Sequence, residues 1–115
     1  MIRLKRAYEP AATNDGRRVL VERLWPRGVT KVWLRLDAWA KDVAPSAGLR
    51  RWFGHDPKRW PEFRRRYFAE LRLHRVAWQP LLSEARRRRV TFVYAARDIA
   101  HNGAIALKAF PDRRL

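Results

Sequence analysis

Cysteine is missing from all 115 residues of the chain. That absence removes disulfides, thiolate nucleophiles and Cys-ligated zinc or iron–sulfur centres together. Acidic side chains are scarce: 11 Asp and Glu stand against 27 Lys and Arg, for a formal charge of +16. Glycine occupies only 5 positions, and no P-loop or Gly-rich dinucleotide fingerprint is present. No Ser–His–Asp spacing of a hydrolase occurs. His55, His74 and His101 have no mutual metal-binding spacing, and His55-Asp56 is a weak pair, so neither a metal nor a cofactor is expected. No segment approaches the run of about 18 apolar residues that a spanning helix needs. The basic opening Met1-Ile2-Arg3-Leu4-Lys5-Arg6 has no signal-type apolar core behind it. A cytoplasmic protein with no membrane partner is the expectation.

What is present is the composition of a folded domain. Hydrophobic residues make up 47%, aromatic residues 12% and charged residues 33%, enough apolar material for one core. No repeat, low-complexity stretch or linker interrupts the chain, and its length suits one domain over residues 1–115.

The basic excess invites a nucleic-acid reading, because Lys and Arg neutralising phosphates supply most non-specific affinity. Of the 27 basic residues 22 are Arg, a skew that a GC-rich genome produces without selection for binding. The runs Arg64-Arg65-Arg66 and Arg86-Arg87-Arg88-Arg89 fall on expected helices, where neighbouring positions point in different directions. A solvated helix face and a nucleic-acid footprint both remain open for them. The charge alone predicts weak, salt-sensitive adhesion to polyanions.

Ile2 to Arg6 alternates as a half-buried strand does. Pro10 to Gly16 is turn chemistry, strongest at Asn14-Asp15-Gly16. Arg18 to Leu24 reads as a second strand ending at Trp25-Pro26-Arg27-Gly28. Leu34 to Val43 fits a strand or a short helix equally. Ser46 is placed to cap a helix over Ala47 to Phe53, with Leu49, Trp52 and Phe53 on its apolar side. Gly54-His55-Asp56-Pro57 breaks the chain, and Pro61 suits the first turn of the next helix. Phe63, Tyr67, Leu71 and His74 then carry that helix to about Arg75. Pro80 is expected to end the pattern and open another helix over Leu81 to Arg89. Val90 to Ala95 is the most strand-like run and suits a central strand covered on both faces. Asn102 to Phe110 reads as a closing helix. Together these predict an α/β domain, its sheet mixed or mainly parallel and flanked by helices.

Several of these segments have the look of one family. Val21-Glu22-Arg23-Leu24-Trp25-Pro26-Arg27-Gly28, Ala44-Pro45-Ser46 with Leu49-Arg50-x-Trp52-Phe53, Phe63-x-x-x-Tyr67 with Glu70-Leu71, and Tyr94-x-Ala96-x-Asp98 are similar to the YeaO-like proteins, a branch of a domain-of-unknown-function family, DUF488. The resemblance runs in order over nearly the whole chain. It implies a small three-layer α/β fold and no established activity, so it brings no catalytic residues. Members commonly have Asp at the position of Glu22 and Asn-His where this chain has Asn102-Gly103. An imidazole there is either absent from this protein or replaced by His101. A longer sister branch carries cysteine, and its thiol chemistry does not transfer.

In a parallel sheet, ligands gather beyond the carboxyl ends of the strands. Arg23, Trp25 and Arg27 follow the second strand, Ser46 and Arg50 open a helix, and Tyr94, Arg97 and Asp98 end and follow the last strand. Guanidinium forks match carboxylate or phosphate, and a helix N-terminus adds free N–H groups. Trp25 and Tyr94 would line such a pocket for a small anionic ligand or stack on its ring. The competing reading is a brace in which Arg23 or Arg27 pairs with Glu22 or Asp98. A catalytic version would rest on Asp98, kept ionised by Arg97, or on the Ser46 hydroxyl. Trp39, Trp52 and Trp60 are expected in the core. Trp33 and Trp78 are the candidates for an exposed apolar patch that binds a partner.

Overall fold

A computed structural model describes residues 1–111. Its sheet has four strands: β1 (Ile2–Arg6), β2 (Arg17–Leu20), β3 (Ala38–Trp39) and β4 (Val90–Tyr94). They lie in the order β1-β4-β2-β3, and every pairing is parallel. All five residues of β4 are buried, as befits an interior strand with Ile2↔Val90 on one side and Arg17↔Val90 on the other. The expected α/β architecture is therefore present, in its all-parallel form.

Alternation along the strands separates two apolar layers. Val19 and Phe92 face a large core shared with α2 (Ala47–Phe53), α3 (Trp60–Arg72), α4 (Arg75–Arg87) and α5 (Gly103–Ala109). Leu20 and Val93 face the other way, toward Ala7 and Leu34 of the short helix α1 (Lys31–Leu34). That second face also buries charge: Arg18 donates to Asp15 at 2.7 Å and to the Leu34 carbonyl at 2.9 Å. Lys5 reaches the same carboxylate at 3.1 Å. Burial pushes the Asp15 carboxyl up, but the Ala12 N–H, Lys5 and Arg18 outweigh it and hold it below the ordinary range.

Strand β2 stops at Leu20 rather than running to Leu24. Val21 still donates to the Val93 carbonyl at 3.1 Å, but the next acceptor is a side chain: a Glu22 carboxylate oxygen takes the Ala95 N–H at 3.2 Å. The Leu34–Val43 segment divides into the end of α1, the two-residue β3 and a 3-10 turn at Lys41–Val43. Helix α3 closes at Arg72, short of Arg75. Its last carbonyls have both backbone and side-chain neighbours: that of Glu70 takes the Leu73 N–H at 3.1 Å with His74 Nδ1 at 2.8 Å, and that of Leu71 takes the His74 N–H at 2.9 Å and the Trp78 indole N–H at 2.6 Å. His74 is thus an exposed terminator and not a core position. Pro80, expected to start a helix, lies inside α4. Its ring is exposed, and the carbonyl it leaves unpaired belongs to solvent-facing Val76.

Candidate functional site

Because all four strands are parallel, the segments after them emerge along one edge of the sheet. Tyr8 follows β1, residues 21–27 follow β2, Pro45, Arg50 and Phe53 come from the segment after β3, and residues 95–98 follow β4. These meet around a cleft of about 640 Å³ that also reaches His55, Phe63, Asn102 and Gly103, a size suited to a small molecule.

The walls are apolar: Val21, Leu24, Trp25, Pro26, Pro45, Phe53 and Phe63. Trp25 is fixed by its indole N–H on the Val29 carbonyl at 2.6 Å and by edge-on packing against Trp39 at 5.4 Å. Phe53 stacks on Phe63 at 4.3 Å. Arg27, Arg50 and Arg97 supply the charge, and among the described residues none of the three forms an ion pair. Arg50 is half-buried, while Arg27, Arg97 and His55 are exposed. Tyr8 closes one side by donating to the Arg27 carbonyl at 3.1 Å.

Glu22 brings a carboxylate into the same cleft. Burial pushes its carboxyl above the ordinary range, against the opposing pull of the Ala95 N–H, Arg50 and His55. Asp98 differs. It accepts from the backbone N–H groups of Ala100 and His101, and its second oxygen lies 2.9 Å from His101 Nδ1. The His101 contact, followed by the Ala100 N–H, holds the Asp98 carboxyl below the ordinary range. Asn102 completes the loop, donating to the Asp98 carbonyl and capping α5 through Ile105 N–H.

Of the residues singled out in the sequence, Trp25, Arg27, Arg50, Arg97 and Asp98 line this cleft and Arg23, Ser46 and Tyr94 do not. Arg23 donates to the Pro45 and Ala44 carbonyls at 3.2 and 3.3 Å, tying the two loops together behind the wall. Ser46 caps α2 by accepting from Leu49 N–H, which also fills the helix terminus expected to receive an anion. Tyr94 is buried in the main core. No pairing of Arg23 or Arg27 with Glu22 or Asp98 forms, and it is His101, not Arg97, that holds Asp98. His101 packs edge-on to Trp60 outside the cleft wall, so it does not stand in for a side chain at Gly103. Tyr8, His55 and Glu22 as a lining residue were missed. Their common signal is position just past a strand or helix end.

The two arginine runs have different fates. Arg65 and Arg66 both pair with Glu62, whose carboxyl Arg65 above all holds at about 2. Arg64 lies over the Phe68 and Trp60 rings. Arg86, Arg87, Arg88 and Arg89 are all exposed. Trp39, Trp52 and Trp60 pack against the two cores, as expected. Trp78 is buried, which removes it from any exposed patch, and Trp33 is 43% exposed with its indole N–H on the Ala7 carbonyl. No described helix is long and apolar enough to cross a membrane.

No solved structure matches the chain. The uncharacterised protein YeaO of Escherichia coli strain K12 is 41% identical over 106 residues, covering 92% of both chains. Uncharacterised proteins of Mycobacterium tuberculosis strain H37Rv and Mycobacterium bovis are each 43% identical over 106 residues, covering 92% of this chain and 89% of theirs. A family model described as the inactive DUF488-N3 subclade matches residues 1–115. With that match along its full length, the chain belongs to the DUF488 family, in its YeaO-like branch.

Proposed function

We propose that this protein binds a small anionic ligand, phosphate- or carboxylate-bearing, in the cleft at the carboxyl edge of its sheet. One observation carries the reading: Arg27, Arg50 and Arg97, from three separate segments, line one cleft with no ion pair among the described residues. Arg27, Arg50 and Arg97 leave the cleft with more positive than negative charge even with Glu22 and Asp98 in its lining, and an anion between the guanidinium groups relieves the remaining repulsion. The apolar walls suit the body of such a ligand, with Trp25 and Tyr8 available to a ring.

The role is binding rather than turnover. Asp98 is committed to its own loop, and Glu22 in a cationic cleft repels an anion brought close to it. The match to a subclade described as inactive supports the same reading.

The test is a titration of the full chain with inorganic phosphate and a phosphorylated sugar, followed by NMR at the Trp25 indole N–H. Arg27→Ala and Arg50→Ala are each expected to weaken binding about tenfold, the loss of one charge-assisted contact, with thermal unfolding unchanged. If neither anion binds, the proposal fails. If the variants unfold instead, the arginines are braces and the proposal fails as well.

A further inference from the structure

The opposite edge of the sheet gathers positive charge from parts of the chain far apart in sequence. Strands β1, β2 and β4 all begin there, with Val90 beside both Ile2 and Arg17. Helix α4 delivers Arg86 to Arg89 directly onto that edge, and Arg17 N–H donates to the Arg89 carbonyl at 3.1 Å. The turn before β2 closes tightly against it. Gly16 sits at φ +67°, and a Cβ there would lie 2.3 Å from the Arg89 carbonyl oxygen. Only glycine permits that approach. Its result is convergence: the Arg3 and Arg89 guanidinium groups both donate to the Asn14 carbonyl, at 3.3 and 2.8 Å.

Among the described residues, little negative charge offsets them. Glu84 is shared by Arg17 at 2.9 Å and Arg88 at 3.7 Å. The nearby Asp15 is buried and taken by Lys5 and Arg18. Arg3, Arg86, Arg87 and Arg89 are left exposed, with no carboxylate partner among the described residues. Among the described residues, Met1 is the one large exposed apolar side chain on this edge, too little apolar surface to insert into lipid.

We infer that this edge docks the phosphodiester backbone of a nucleic acid through Arg3, Arg86, Arg87 and Arg89. Exposed guanidinium groups spread along a sheet edge, with Arg86 beside the groove formed by Met1, Ile2 and Phe110, fit a repeating, externally displayed anion. The surface is separate from the cleft, at the other end of the strands, and stands whether or not the cleft binds a small anion. Arg64 to Arg66 take no part, because Glu62 and the aromatic rings already occupy them.

The experiment is fluorescence anisotropy of a short labelled DNA duplex with the full chain, from about 50 to about 200 mM salt. Four phosphate contacts predict a slope of log K against log salt of about −3.6. The triple substitution Arg86→Ala, Arg87→Ala, Arg89→Ala is expected to shrink that slope by about 2.7 and to weaken binding more than tenfold at the lowest salt. Replacing the same three by Lys is expected to keep most of the slope, which separates lost charge from lost fold. The pair Arg65→Ala, Arg66→Ala and the single Arg27→Ala are expected to leave it unchanged. Wild-type binding by the triple alanine variant overturns the inference, as does an equal loss in the Arg65, Arg66 pair. Equally tight binding to vesicles rich in phosphatidylserine, with the same salt slope, overturns it in favour of a membrane surface.

Discussion

Both carboxylate oxygens of Glu70 serve Ser46, one accepting its backbone N–H at 2.9 Å and the other its hydroxyl at 2.6 Å. The same hydroxyl accepts from Leu49 N–H at 3.1 Å. With its donor and acceptor both engaged inside the protein, Ser46 joins the start of α2 to the last turns of α3. Ser46→Ala removes the cap and strands part of Glu70, and should lower stability by about 1–3 kcal/mol. Chemical denaturation measures this, and anion affinity is expected to stay as in the wild type. A tenfold loss of affinity at unchanged stability would return Ser46 to the binding site.

Glu22 offers a pH test. Its folded-state carboxyl lies above the ordinary 4.5 because burial disfavours the charge. The folded protein therefore holds a proton that the unfolded chain releases, and stability falls as pH rises from 4.5 through the folded value. Glu22→Gln keeps an acceptor for Ala95 N–H and removes the charge. The variant should unfold at higher temperature than wild type at neutral pH, with the gap closing below pH 4.5. It should also bind phosphate several-fold more tightly, since a like charge leaves the cleft. An equal destabilisation at both pH values would contradict this account.

Asp98 should behave in the opposite sense. Held down by His101 and the Ala100 N–H, it titrates below the ordinary 3.8. The order it gives residues 98–102 is complete above that value and lost as pH falls through the folded one. A carboxyl NMR titration follows this directly. His101→Ala is expected to move the Asp98 midpoint upward toward 3.8 while leaving that of Glu22 in place.

Pro80 interrupts α4 without stopping it. Replacing its exposed ring by Ala restores an N–H to the Val76 carbonyl and removes a helix-interior proline, worth up to about 3 kcal/mol. Greater freedom of the unfolded chain subtracts up to about 1 kcal/mol from that. Pro80→Ala should therefore raise the thermal midpoint by several degrees, with no change in cleft binding. A lower midpoint would mean that the ring makes a native contact.

Local chemistry made much of this readable. Ile2–Arg6 and Ala47–Phe53 form as their alternation and the Ser46 cap require. Phe63, Tyr67 and Leu71 are buried on one face of α3, as their spacing demands. Pro80 was misleading because helix-breaking is a local tendency, and the buried Trp78, Leu81 and Leu82 hold the helix through it. Strand β2 is shorter than its local pattern for a similar reason. Val21 and Leu24 have strand propensity, but the ladder ends where Glu22 substitutes a carboxylate for a backbone acceptor.

The sequence by itself determined the order and kind of most elements, the basic excess and the family, because each is written in neighbouring residues or in composition. Which arginines are free was decided only in three dimensions. Arg23 and Arg27 lie four positions apart in one motif, yet one is consumed by the Ala44 and Pro45 carbonyls and the other opens into the cleft. Arg65 and Arg89 read alike in their runs, but Glu62 lies one helical turn before the first, and the second faces Arg3 across the Asn14 carbonyl. Arg65's partner is local to its helix, but those of Arg23 and Arg89 come from segments that meet only when the sheet assembles, and such partners set whether a charge braces the fold or faces outward.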